Sequence, residues 1–94
     1  MKHCRTTLIQ YHSEQDADEL ITAYKATATI DFPDAEILLC TRTSPTSAVM
    51  TSLYSSKEAA KQAMAARKPI LKDAKGTAKI ISIETHEGGA FRLK

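Results

Sequence analysis

The stretch from Ala35 to Tyr54, AEILLCTRT-SPT-SAVMTSLY, decides the fold. Ala35 to Thr43 and Ser47 to Tyr54 both read as strands rich in apolar and β-branched residues, and only Ser44-Pro45-Thr46 separates them. So short a connection makes the two strands an antiparallel hairpin. Upstream, Ser13 can cap the amide of Asp16, and the carboxylates of Glu14, Asp16 and Asp18 suit the positive end of a helix dipole. Ala17, Leu20, Ile21, Tyr24 and Ala28 then recur at spacings of three, four and seven, which predicts a helix from about Glu14 to Thr27. Pro33 opposes its continuation through Phe32. Residues 4–12, CRTTLIQYH, alternate as a first strand. Downstream, Ser55-Ser56-Lys57-Glu58 has the form of a capping box with Ser55 as the cap, opening a second helix through Ala59, Ala60, Ala63, Met64, Ala66 and Arg67. Pro69 is expected to kink or restart that helix and Gly76 to end it. Thr77 to His86 is the fourth strand, with Gly88-Gly89 and a tail, Ala90 to Lys94, after it.

The order is βαββαβ. Right-handed crossovers then place both helices on one face of a four-stranded antiparallel sheet in the order 4-1-3-2, which is the α+β, ferredoxin-like arrangement in a single domain of residues 1–94. A sheet with water on its other face should alternate between apolar and polar residues. Here Leu8 with Ile9, Ile37 to Cys40, and Ile80 with Ile81 put apolar groups on both faces. The 94 residues are 43% apolar, yet alanine supplies 14 of these and Leu, Ile, Val and Phe together only 18. The core is therefore thin for a lone protomer. A second copy of the chain is the expected cover, in an interface well above ~1,000 Å². The tail, residues 88–94, alternates Phe91 and Leu93 with Arg92 and Lys94, so it is the candidate dimer arm.

With this element order the chain resembles the dimeric α/β-barrel superfamily, and in particular the antibiotic-biosynthesis-monooxygenase-like group. The local match is Tyr54-Ser55-Ser56-Lys57-Glu58-Ala59, an aromatic residue and small polar residues before Glu-Ala at the start of the second helix. That group usually has Trp at the position of Tyr54 and a His in the second helix, which this chain lacks. Its haem-degrading branch uses Asn, Trp and His, and this sequence contains neither Trp nor Asn. The resemblance implies a homodimer that handles a small apolar or aromatic ligand, as a cofactor-free oxygenase (a monooxygenase-like oxidoreductase). The rival is a non-catalytic ligand-binding or regulatory module on the same fold.

The candidate cavity-lining residues are Gln10, His12, Tyr24, Met50, Ser52, Tyr54 and His86. Tyrosines carry a polar handle on an apolar body and suit an aromatic ligand, although ordinary core packing accounts for them more simply. Which sheet face holds the cavity stays open, because each strand is mixed on both faces. His12 and His86 are expected as solvated strand ends at opposite edges, and His3 as exposed and unstructured. No residue is assigned to catalysis, no metal-ligand spacing is found, and no cofactor motif occurs.

Charge excludes further classes. Net charge is +2, so nothing calls for a polyanion partner. A third-strand RNA-recognition signature would fall at Ala48 to Ser55, which holds no Lys, Arg or Phe. Residues 14–34 are acidic and residues 57–79 basic, a contrast expected to draw the two helices together. No apolar run approaches a membrane span, and the chain opens on Met1-Lys2-His3-Cys4 with no signal-peptide pattern. Cys4 and Cys40, without a C-x-x-C motif, fit reduced thiols in a cytoplasmic protein. The strand order sets them two strands apart, ~9–10 Å, which is too far for a disulfide. Cys40 is expected to be buried and inert.

Overall fold

A computed structural model describes residues 1–65 and 79–94. It contains β1 (Lys2–Tyr11), α1 (Glu14–Asp31), β2 (Ala35–Ser44), β3 (Ser47–Tyr54), α2 (helical over residues 57–65) and β4 (Ile80–Ala90). The four strands form one antiparallel sheet in the order β2-β3-β1-β4, so the architecture is the ferredoxin-like βαββαβ that the hairpin implies. The expected kink at Pro69 and stop at Gly76 lie outside the described residues.

Strand register assigns the two faces. On the helix side stand His3, Thr7, Ile9 and Tyr11 of β1, with Ala48, Met50, Ser52 and Tyr54 of β3, all buried. Ile9, Tyr11, Ala17, Ile21, Ala48, Met50 and Ile80 form the core, with Leu20, Tyr24 and Ile83 packed against it. The other face carries Leu8, Ile37, Leu39, Val49 and Leu53, and no described helix packs on it. Leu8, Ile37 and Leu39 are exposed there. The apolar residues on both faces are thus a real feature of the sheet.

Ser13 caps α1 as its position implies: its Oγ accepts from the Asp16 amide at 3.1 Å. The helix runs to Asp31, four residues beyond the expected Thr27, because Ala28 and Phe32 continue its buried stripe. The Phe32 amide closes on the Ala28 carbonyl, and Pro33, without an N–H, stops the helix there. Ser13→Ala is expected to cost about 1 kcal/mol, and Ser13→Asp close to nothing, as read by urea denaturation. At α2 the cap is Ser56 rather than Ser55. Its Oγ accepts from the Ala59 amide and its carbonyl from Ala60, one residue further along than the capping-box reading.

The paired strands β1 and β4 extend further than expected. β1 starts at Lys2 and β4 continues to Ala90, because Lys2↔Ala90, His3↔Gly89, Cys4↔Gly88 and Arg5↔Glu87 pair across the ladder. Gly88-Gly89 is therefore strand rather than a turn, and the tail is only residues 91–94, outside any strand. At Gly89 the Met1 side chain lies where a Cβ would stand, and a larger residue would displace it. Cys4 and Cys40 are both free. They lie on opposite faces, since Cys4 pairs with Leu53 while Cys40 pairs with Met50. Cys40 is exposed rather than buried, and desolvation pushes its thiol above the ordinary range, outweighing the charges of Lys25 and Arg42.

The carboxylates of α1 pair with basic residues outside the second helix, and most of the basic stretch expected to attract α1 lies outside the described residues. Asp18 binds Arg42 at 3.0 Å and Glu19 binds Lys79 at 2.5 Å. Arg42 also donates to the carbonyls of Ser44 and Pro45, tying the β2–β3 turn to α1. No described helix is long and apolar enough to cross a membrane.

Candidate functional site

Period-two alternation aims the helix-side residues at the ends of β1, β3 and β4 into one place. His3 stands between Tyr54 on one ladder and Gly89 on the other, and Arg5 between Ser52 and Glu87. Thr7 stands between Met50 and Thr85, whose hydroxyl lies 3.3 Å from its own. Glu87 joins the group: His3 Nε2 is 3.0 Å from one carboxylate oxygen and Arg5 Nη1 donates to the other at 2.7 Å. A cleft of about 380 Å³ opens beside them, walled by Met1, Lys2, His3, Lys57, Glu87 and the Gly88-Gly89 backbone. That volume lies in the range of small-molecule sites.

His3 is only 7% exposed, which corrects its expected place as a loose, exposed terminus. Its Nδ1 has no hydrogen-bond partner among the described residues. A carboxylate accepting from one ring N–H orients an imidazole and fixes its tautomer, leaving the other nitrogen as the acceptor. Tyr54 is fully buried on the same face, and its hydroxyl is the one buried side-chain polar atom without a hydrogen-bond partner among the described residues.

The structure divides the seven residues expected from sequence. Met50, Ser52 and Tyr54 share the helix-side face. Tyr24 is half-buried on α1, its ring stacked on Phe32 with centroids 6.4 Å apart. Gln10 and His86 point to the other face: Gln10 donates to Thr46 Oγ1 at 2.9 Å, and exposed His86 lies 3.2 Å from Glu84. His86 is not a strand end but sits within β4 opposite Thr6. His12 is exposed just past β1. None of the seven is among the residues that wall the cleft, although Tyr54 lies across the β1–β3 ladder from His3, which does wall it. The sequence reading missed Arg5, Lys57 and Glu87 as members of a site, and placed His3 outside any structure. The available signal was the odd-numbered run His3, Arg5, Thr7, Ile9, Tyr11, which needed a strand starting two residues earlier than Cys4. No cluster of three or more metal-ligating side chains occurs among the described residues.

The His3 hydrogen bond, and then the charges of Arg5, His3 and Lys57, hold the Glu87 carboxyl below the ordinary carboxylate range against desolvation. The unfolded chain therefore takes up this proton first as pH falls. The stabilisation is complete above the unfolded pKa, about 4.3, and is lost as pH drops through the folded value. The Glu87 side chain is 40% exposed, so solvent screening keeps the effect to about 1 kcal/mol or less. Glu87→Gln is expected to lose less stability than wild type between pH 6 and pH 3 in urea denaturation. An equal acid loss in both would show that the pairing carries no stability.

A four-stranded antiparallel sheet with helices on one face, an uncovered apolar face and a polar cleft at the helix-side end defines a ferredoxin-like protein. Solved structures share this fold along the whole chain. The cofactor-independent oxygenase SnoaB from Streptomyces nogalater superposes with a TM-score of 0.67 at 17% identity, over 98% of this chain and 95% of its own. The ActVA-Orf6 monooxygenase of Streptomyces coelicolor, in complex with nanaomycin D, gives 0.72 at 12% identity over 98% and 92%. A dimeric ferredoxin-like protein from an uncultured marine organism gives 0.74 at 10% identity over 99% and 93%. These likenesses are of fold. No protein-family model and no curated protein matches the sequence.

Proposed function

We propose that this chain forms a homodimer through its uncovered sheet face and that each protomer binds a small aromatic molecule in the cleft beside His3, acting on it as a cofactor-free oxygenase. The observation that carries the reading is the His3–Glu87 pair, an oriented proton acceptor at the wall of a cleft of ligand size. Fold likeness to a cofactor-independent oxygenase and to a monooxygenase holding nanaomycin D supports the same class. A dimeric ferredoxin-like neighbour and the exposed leucines and isoleucine support the pairing of sheets. The tail residues Phe91 and Leu93, both highly exposed, serve as the arm onto the second copy. Residues 1–94 act as one domain, and the two free thiols suit a cytoplasmic setting.

In this chemistry the substrate is its own reductant. His3 Nδ1 removes a proton from an activated methylene of a phenolic substrate, leaving a delocalised carbanion. The carbanion passes one electron to O2, and the radical pair combines as a peroxide. Cleavage of the O–O bond with loss of water leaves a carbonyl. The methylene gives up four electrons and two hydrogens; one oxygen atom enters the carbonyl and the other leaves as water. Oxygen uptake with a panel of phenols and hydroquinones tests this directly, with His3→Gln losing the enzymatic rate. Uptake at the buffer rate across the panel rejects the oxygenase.

One observation favours the second reading, a non-catalytic binding module. The Glu87 carboxylate is shared between His3 and Arg5, a closed network that also serves purely to brace the β1–β4 ladder. Binding of the same phenols with no oxygen uptake selects that reading.

A further inference from the structure

We infer that the ligand of this cleft is an aromatic carboxylate whose anionic group is bound by Lys57. The inference rests on the reading of the cleft as a ligand site and names the chemical class that the site takes. Among the charged side chains on and beside its walls, all but one are paired. Lys2 is paired with Glu36 at 2.5 Å. Both oxygens of Glu87 are occupied, one by Arg5 and the other by His3. Lys57 makes no ion pair and no hydrogen bond among the described residues, and its one recorded attraction is towards that already-occupied carboxylate. Lys2, Arg5 and Lys57 therefore face two carboxylates, Glu36 and Glu87, which leaves one side-chain positive charge uncompensated, in addition to the Met1 α-ammonium. A cleft with one spare cation draws an anion and disfavours a second cation.

The remaining wall suits an aromatic ring. Met1 lays its thioether over Gly89, where any side chain larger than hydrogen would displace it. The Gly88-Gly89 backbone carries no side chain at this edge of the sheet, so a flat group can lie against the Met1 side chain and the edge of the strand. Thioether sulfur makes favourable contacts with aromatic rings. A ring against Met1 and Gly88-Gly89, with its carboxylate on Lys57, uses the soft wall and the spare charge together. A lone lysine matches a single negative charge, which favours a carboxylate over a dianionic phosphate.

The experiment compares 2-naphthoate with its neutral isostere 2-naphthamide, titrated into 15N-labelled full-length protein. The expected result is that naphthoate moves the amide signals of His3, Gly88 and Gly89 and binds about tenfold more tightly than naphthamide, the worth of a hydrogen bond to a charged group. Lys57→Met is expected to reduce naphthoate to the affinity of naphthamide, and Lys57→Arg to restore it. Lys57 is exposed and unpaired, so both variants should keep the wild-type spectrum elsewhere. Equal affinities for acid and amide at the cleft, unchanged in Lys57→Met, overturn the anion assignment while leaving the cleft a ligand site. Failure of both compounds to move the cleft amides rejects the ligand site and this inference with it.

Discussion

Replacing Val49 by lysine is expected to leave the protomer folded and to weaken self-association about a hundredfold or more. Val49 lies on the uncovered face of β3, opposite Leu8 on one ladder and Thr41 on the other, so no carboxylate stands across from a lysine there. In a free protomer the ammonium reaches water from this open face, and its stem packs on the neighbouring apolar residues. In a dimer built through the sheets the same charge is buried without a partner. An uncompensated buried charge costs about 3 kcal/mol or more, which is roughly two decades in the dissociation constant. Sedimentation equilibrium should find wild type at twice the 10.3 kDa protomer mass and Val49→Lys near that mass, at roughly tens of micromolar. Ile30→Lys, at an equally apolar and highly exposed position on α1, is the control and should leave the dimer intact. A wild-type protein that sediments as a monomer, or a Val49→Lys variant that stays dimeric, would remove the sheet face as the interface. Deleting residues 91–94 separates the arm from the face, since loss of Phe91 and Leu93 should weaken the dimer without abolishing it.

The sheet order was legible because local rules leave few options. So short a turn, Pro45-Thr46 in the structure, forces the β2–β3 hairpin, and two right-handed crossovers then fix β1 and β4 beside it. The uncovered apolar face was legible for a related reason: Leu8 beside Ile9 cannot both point inward when side chains alternate. The cleft was not legible, and its residues explain why. His3, Glu87, Gly88 and Gly89 carry weak strand preference, so a local reading ends β1 at Cys4 and β4 at His86. What makes them strand is pairing between positions more than eighty residues apart, with His3 and Arg5 converging on Glu87 across that ladder. No periodicity within either segment encodes this. The second cap failed on a smaller scale: Ser55 and Ser56 are adjacent serines with equal capping chemistry, and the structure uses Ser56.

Tyr54→Phe is expected to stabilise the ligand-free protein while weakening ligand binding, two changes of opposite sign from one oxygen atom. Tyr54 is fully buried, and its hydroxyl has no hydrogen-bond partner among the described residues. Leaving such a group unsatisfied costs about 1–3 kcal/mol, and phenylalanine fills the same volume without that cost. A gain of about 1 kcal/mol would raise the melting temperature of a domain this size by about 4–8 °C. Tyrosine at this position is therefore costly to the empty protomer, and the proposal that Tyr54 serves a ligand requires an occupant whose contact with the hydroxyl offsets the cost. Tyr54 lies directly across the β1–β3 ladder from His3, on the face where the Glu87 pair meets the cleft. Removing the oxygen should lower affinity for a hydroxylated aromatic about five- to tenfold, the worth of one neutral hydrogen bond of about 1 kcal/mol. Melting curves with and without ligand read both effects, because bound ligand adds stability in proportion to its affinity. Wild type should melt below Tyr54→Phe when empty and gain more from the same ligand concentration. If Tyr54→Phe melts lower than wild type when empty, the hydroxyl is already satisfied within the fold and contributes to stability rather than to binding. If both proteins gain equally from ligand, the oxygen takes no part in recognition and Tyr54 serves the core alone.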